Sequence, residues 1–280
     1  MYDDVLTTLE RYSLKLRTLY RAHGYEFYRM KRFEDYDFYS GKKDFLNSSA
    51  ILTFTDTDGK LLALRPDVTL SLIRRASPGK YYYDENVYRV SENTGHWSEI
   101  PQAGIERIGT LSHNDIAEVA QLALMSLQLI SQISGANDYV LDIADAGTVS
   151  DLFHDDIPSL MLKCLQNKNI HGLKSLNAPE KLLRMASLNG DISSGIDFLG
   201  NECAFAVNAL NNPHVRIDFS AVSNLTYYNG LVLKGYIEGV PNAVLSGGQY
   251  DNMMRIAGHN GLRGAGFAVY LGRLGGVYGD

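Results

Sequence analysis

Residues 82–109 hold the side chains with the most specific chemistry in this chain. The run reads Tyr82-Tyr83-Asp84-Glu85-Asn86-Val87-Tyr88-Arg89, a polar stretch from Val90 to Glu99, then Ile100-Pro101-Gln102-Ala103-Gly104-Ile105-Glu106-Arg107-Ile108-Gly109. Two antiparallel strands joined by such a loop bring Arg89, Gln102 and Glu106 within reach of one another. An arginine on a rigid strand suits bidentate contact with a phosphate or carboxylate. Gln102 and Glu106 lie four apart, so at period two they share a face of the sheet and can hold an amino group. The plain alternative is a surface hairpin with ordinary polar residues.

Four further constellations follow. Leu64-Arg65-Pro66-Asp67-Val68-Thr69 runs from a strand into a short helix, with Pro66 at the junction. Val222-Ser223-Asn224-Leu225-Thr226-Tyr227-Tyr228-Asn229-Gly230 sets paired tyrosines before a glycine. They can line a pocket for a flat ring or simply pack within a hairpin. Ser246-Gly247-Gly248-Gln249-Tyr250-Asp251 has adjacent glycines that allow a ligand close to the backbone, or a plain turn. Gly264-Ala265-Gly266-Phe267, continuing to Arg273-Leu274, is glycine-rich but weak as a phosphate signature by itself.

These residues need elements to position them. Val5, Leu9, Tyr12, Leu16 and Leu19 predict an amphipathic opening helix stopped by Gly24. A strand follows at 24–28. Ile51 to Thr57 and Lys60 to Leu64 flank Asp58-Gly59, a two-residue hairpin signal. Asp115 to Ile133 is the clearest helix, with Asp115 and Glu118 at capping-box spacing, a stripe of Ile116, Val119, Ala123, Leu127 and Ile130, and Gly135 at its end. Tyr139 to Ile143 reads as a strand. From Leu152 to about Asn211 the pattern is helical, broken by Pro158, Gly172, Pro179 and Gly190. Sheet returns from Val215. The expected fold class is α+β, one domain over residues 1–280 with a helical insertion at about 152–211.

Composition narrows the function classes. Lys and Arg number 26 against 32 Asp and Glu, a net charge of -6, and no basic block is present. Nucleic-acid binding relies on basic surface to displace counterions, so nucleic acid is not the expected partner. Cys164 and Cys203 lack metal-site spacing and fit thiols in a reducing cytoplasm. The N-terminal residues lack signal-peptide character, and no stretch of about 20 wholly apolar residues is present to span a bilayer.

The motifs, taken in order, resemble those of class II aminoacyl-tRNA synthetases, most closely the histidyl-tRNA synthetase branch. Arg89 and Gln102-Ala103-Gly104-Ile105-Glu106 match its motif 2. The loop departs: Gly95-His96-Trp97-Ser98 lacks both family arginines, and Ser91 stands for a glutamate, with Glu92 displaced by one. Phe33, Glu34, Tyr36 and Tyr39 weakly resemble the dimer-forming motif 1, with Lys31 near the place of its proline. Asp67 replaces a glutamate of Arg-Pro-Glu-x-Thr. In the histidine-specific Arg-Gly-Leu-Asp-Tyr-Tyr-Thr-Gly, Leu225, Tyr227, Tyr228 and Gly230 match. Ser223 stands for the arginine, Asn224 for the glycine and Thr226 for the aspartate. Gln249 replaces the arginine of Gly-Gly-Arg-Tyr-Asp. In motif 3 Arg273 is retained, while Gly272 and Tyr270 replace a glutamate and a glycine.

The resemblance implies an antiparallel sheet flanked by helices. It implies a histidine pocket of Asp67, Arg89, Gln102, Glu106, Tyr227 and Tyr228, and vestigial nucleotide-site positions Ser223, Gln249 and Arg273. It implies no catalytic residue, metal or cofactor, and the sequence ends at Asp280 without the anticodon-binding domain of synthetases. The pattern is most similar to the regulatory subunits of ATP phosphoribosyltransferase. Such chains activate a short-form catalytic subunit in a hetero-octamer of four plus four, form dimers by themselves, and take part in histidine feedback in the cytoplasm. A histidyl-tRNA synthetase core lacking its anticodon-binding domain is the alternative, and an amino-acid-binding module of another kind is a third.

Overall fold

A reciprocal cap starts the first helix. Thr7 Oγ1 accepts from the Glu10 N–H, and the Glu10 carboxylate accepts from the Thr7 N–H, so α1 runs Thr8–Ala22. Its buried stripe is Tyr12, Leu16 and Tyr20, while Val5 lies ahead of the helix and is 78% exposed. The computed structural model describes residues 5–40, 51–74, 77–90, 95–153 and 157–274. It forms two compact units, Met1–Glu106 with Val269–Asp280, and Arg107–Ala268. Ser91 and Glu92, read above as a departure from motif 2, lie outside the described residues.

In the first unit, the expected strand after α1 shrinks to β1 (Glu26–Phe27). Next come β2 (Phe33–Asp35), α2 (Tyr36–Ser40), β3 (Thr53–Thr55) and β4 (Leu61–Leu64). The three short strands make a sheet in the order β2-β4-β3, both pairs antiparallel. The hairpin at Asp58-Gly59 is present but wider than a two-residue turn. Asp56 Oδ1 accepts from the N–H groups of Asp58 and Lys60, and Gly59 takes a φ of 80°. After α3 (Val68–Ile73) come β5 (Gly79–Val90) and β6 (Trp97–Gly109), neighbours in the larger sheet. β1 pairs in parallel with β5.

One side chain ties this unit together. Arg65 is 0% exposed. Its Nε and Nη2 donate to the Asn86 carbonyl at 3.1 and 2.7 Å, its Nη1 to the Lys31 carbonyl at 3.1 Å, and its Nη2 to Glu85 Oε2 at 2.8 Å. A charge this deep is tolerated only when paired and fully hydrogen-bonded.

The second unit opens on α4 (His113–Ser134). Its N-cap is Ser112, not Asp115. Ser112 Oγ takes the Asp115 N–H while the Asp115 carboxylate takes the Ser112 N–H, so Asp115 is the third helical residue of the box. The predicted stripe of Ile116, Val119, Ala123, Leu127 and Ile130 is wholly buried. Then follow β7 (Tyr139–Asp145), α5 (Ala146–Asp151), α6 (Ser159–Gln166), α7 (Ile170–Ser175), α8 (Glu180–Ala186), α9 (Ile192–Gly195) and α10 (Asn201–Leu210). Pro158 and Pro179 cap α6 and α8, but Gly172 lies inside α7 rather than breaking it. β8 (Val215–Ile217), β9 (Leu231–Ile237), β10 (Leu245–Gln249), α11 (Asp251–Ile256) and β11 (Arg263–Tyr270) complete the unit.

The strand order here is β11-β10-β9-β7-β8. β9 runs antiparallel to β10 and β7, while β8 joins β7 in parallel, so the sheet is mixed rather than wholly antiparallel. α4 has the length and mean hydropathy (1.4) of a membrane-crossing helix, yet it packs its apolar face on β7, β9 and α10. A methyl group on Gly235 of β9 would sit 2.7 Å from the Leu127 side chain, which shows how closely α4 approaches the sheet. Cys164 and Cys203 are free and buried.

Replacing Arg65 by methionine strands the Glu85 carboxylate and two carbonyls. The expected cost is about 3–5 kcal/mol. It should be read as a lower urea midpoint at unchanged slope.

Candidate functional site

In the first unit the predicted residues gather around the start of α3. Asp67 caps that helix: its Oδ1 accepts from the Leu70 N–H at 2.9 Å. Its Oδ2 takes Arg89 Nη2 at 2.7 Å, and Arg89 Nε donates to the Pro66 carbonyl at 2.5 Å. Two residues assigned to a ligand thus hold each other. Glu106 is 1% exposed on β6, with Thr69 Oγ1 donating to its Oε1 at 2.6 Å. Gln102 is buried on the same strand, four residues earlier.

Neutral groups missed in the sequence complete the cluster. Burial chiefly, then the negative charges of Glu106 and Asp67, push the Tyr83 phenol well above its usual range, so it stays a protonated donor. Tyr83 lies six residues before Arg89 on β5, a spacing that at period two implies a shared face. Thr69 closes the Pro66-Asp67-Val68-Thr69 run and was legible there. On the next turn of α3, Ser71 Oγ lies 2.8 Å from both Glu34 Oε2 and the Asp67 carbonyl, and the Tyr39 hydroxyl donates to Glu34. Burial and the Glu34 charge likewise raise the Tyr39 phenol. α3 therefore carries Asp67, Thr69, Ser71 and Arg74 to four different acceptors or donors, Arg74 reaching Asp35 at 2.7 Å. Asp67 and Glu106, with Arg89 paired to the first, suit a cationic group better than an anionic one.

Arg273 also belongs to the first unit. Its guanidinium carbon stands 4.2 Å from the centroid of the Tyr270 ring. Tyr270 is the residue that replaces a family glycine, so the substitution supplies the ring on which the arginine rests. His96 is exposed ahead of β6, and Ser98 lies within that strand.

In the second unit the tyrosine pair is set by an asparagine turn. Asn224 Oδ1 accepts from the Tyr227 N–H, and its carbonyl from the Tyr228 N–H, both at 3.0 Å. The two rings meet at 4.7 Å and 56°. Tyr228 packs over Gly248, whose φ of 158° and lack of a side chain are both required. A methyl group there would lie 2.7 Å from the ring and 2.3 Å from the Leu231 carbonyl. Ser223 lines a separate cleft of about 520 Å³ with Thr226 and Arg255.

Gln249 is 4% exposed. Its Nε2 donates to Asp251 Oδ2 at 2.5 Å, while its Oε1 has no hydrogen-bond partner among the described residues and lies against Gly230. Asp251 also receives Arg263 Nε at 3.0 Å and the Gly264 N–H at 3.1 Å. Arg263 reaches on to both oxygens of Glu202 and to the Leu111 carbonyl. The Glu202 hydrogen bonds, then Asp251, hold this guanidinium charged above its already high range. Among the described residues no group of metal-ligating side chains comes together.

Comparison with known proteins follows from this geometry. The family model for histidyl-tRNA synthetase matches residues 3–201 and 180–274. The ATP phosphoribosyltransferase regulatory subunit of Caldanaerobacter subterraneus subsp. tengcongensis is 29% identical over 93% of this chain and 76% of its own length. That of Lactococcus lactis subsp. cremoris is 27% identical over 95% and 91%. Among solved structures, an ATP phosphoribosyltransferase regulatory subunit/histidyl-tRNA synthetase from Bacillus halodurans C superposes with a TM-score of 0.79 at 24% identity, covering 95% of this chain and 78% of that one. A chain of the ATP phosphoribosyl transferase (HisG:HisZ) complex from Thermotoga maritima gives 0.72 at 19%, covering 94% and 97%. The fold is that of the class II histidyl-tRNA synthetase core.

Asp67→Ala should destabilise the chain more than Arg89→Ala, because it removes a helix cap worth about 1 kcal/mol as well as the ion pair. The double mutant should show a coupling of about 0.5 kcal/mol or more between the two sites in urea unfolding.

Proposed function

Because this chain belongs to the histidyl-tRNA synthetase family, we propose that it serves as a non-catalytic regulatory subunit of ATP phosphoribosyltransferase and not as a synthetase. The observation that carries this reading is Gln249. Where the family presents an arginine, this chain buries an amide whose nitrogen is engaged by Asp251. Ser223 stands at a second arginine position, and His96 and Ser98 in the loop where two more occur. Neither an amide nor a hydroxyl supplies the charge or fork of a guanidinium toward a transferring phosphoryl group.

The partner in this reading is the short-form catalytic subunit, which joins ATP to phosphoribosyl pyrophosphate. The chain forms a dimer by itself and a hetero-octamer of four plus four with that partner, in the cytoplasm. It raises the partner's rate and relays histidine as a feedback signal. Asp67 and Glu106 take the histidine ammonium, which matches the surplus of carboxylate around α3. Arg89, already paired with Asp67, gives the ligand carboxylate little, so binding to the free chain is weak. Coupling of this kind needs histidine to favour one of two states of the assembly.

Three outcomes test the reading. The isolated chain should give no histidine-dependent exchange of pyrophosphate into ATP, since loss of one preorganised charge stabiliser alone costs about 10²–10³ in rate. Exchange at enzyme-like rates would return the chain to the synthetases. Mixed with a cognate short-form catalytic subunit, it should raise the transferase rate and move in light scattering from about twice 31.1 kDa to a much larger mass. Histidine should inhibit that complex, and Glu106→Ala should relieve the inhibition while the complex persists. Inhibition untouched by Glu106→Ala would locate histidine elsewhere.

A further inference from the structure

Charge is distributed unevenly along this chain. Residues 159–188 carry Lys163, Lys168, Lys174, Lys181 and Arg184 against one acid, Glu180, in a protein of net charge -6. The segment forms α6, α7 and α8, which pack on one another around buried Leu165, Leu173, Leu182 and Met185. Lys168 is engaged: its Nζ lies 2.6 Å from Asp218 and donates to the Leu188 carbonyl. Lys174 and Arg184 make no ion pair among the described residues.

Both cations line one cleft of about 530 Å³, within the range of ligand-binding clefts. Its apolar lining is Ile170, Leu183, Leu188 and Phe198. The Arg184 guanidinium carbon stands 5.1 Å from the centroid of the Phe198 ring, which steadies it while leaving its N–H fork able to take a carboxylate. Glu180 stands at the rim, in the first turn of α8. The cleft thus combines two cations, one carboxylate and an apolar lining, beside the neutral polar Ser187, Asn189 and Ser194.

We propose that this cleft docks an acidic peptide segment of a partner protein. An aliphatic side chain of the segment meets the apolar lining, its carboxylates meet Lys174 and Arg184, and a backbone N–H reaches Glu180. Nucleic acid fits less well. Phe198 is 7% exposed and has little free face for a base to stack on, and Glu180 repels a run of phosphates while a peptide can donate to it. This inference is independent of the regulatory reading, since it rests on a cleft far in sequence from Asp67, Glu106 and Gln249.

The test uses the full chain and a fluorescein-labelled peptide, Gly-Asp-Leu-Glu-Leu-Asp-Gly, followed by anisotropy. Saturable binding is expected, weakened about tenfold at 0.5 M salt, where the screening length falls to about 4 Å. Lys174→Glu with Arg184→Glu should weaken it about tenfold or more. Lys174→Glu alone, at an exposed position, should weaken it about threefold with the circular dichroism spectrum unchanged. A peptide with glycine for both leucines should bind less tightly. The proposal is overturned by binding indifferent to Lys174→Glu, by equal binding of the glycine peptide, by tighter binding of an oligouridylate, or by no saturable binding.

Discussion

The first unit depends on one buried cation. The Arg65 side chain joins the backbone at Lys31 to that at Asn86, and its own backbone links Arg32 to Tyr88. Two stretches more than fifty residues apart in sequence are thereby locked beside Pro66 and Asp67. Removing the guanidinium from water is costly, and that cost is offset only because Glu85 and two carbonyls meet it together. The position of Asp67, hence the start of α3 and the direction of Arg89, follows from this knot. Arg65 thus fixes the backbone beside Asp67, while the acids around α3 are held by other side chains.

The second unit is organised by a different pair of charges. Arg263 on β11 spans Asp251 at the start of α11 and Glu202 in α10, so sheet and helices meet through two carboxylates and one guanidinium. Gln249 joins the network as a neutral member. Its amide nitrogen is turned inward to Asp251.

Much of this was legible in the sequence, for physical reasons that differ by element. The stripe on α4 was clear because a long period with a glycine stop has few alternatives, and every predicted position is buried. Its cap was misassigned because serine and aspartate both cap helices, and Ser112-Asp115 and Asp115-Glu118 share one spacing. Gly172 read as a breaker, but the tertiary packing of α7 overrides its weak intrinsic preference. β1 shrank to two residues because its length is set by pairing with β5, which no local pattern records. Charged members of the α3 cluster stood out in sequence, while Tyr83 and Ser71 did not, since neutral hydroxyls have no distinctive spacing. Arg65 was hidden by its own exception, for arginine is among the residues least often fully buried.

The Gln249 side-chain carbonyl, without a hydrogen-bond partner among the described residues, limits what position 249 can accept. An arginine placed at this position would need room where the amide now rests against Gly230. It would also bring a second guanidinium to Asp251, which Arg263 already occupies. A guanidinium at position 249 fits only if Asp251, Arg263 and Glu202 are rearranged with it. Packing therefore couples position 249 to Asp251, Arg263 and Glu202, so that a charge placed there is accommodated only by several substitutions at once.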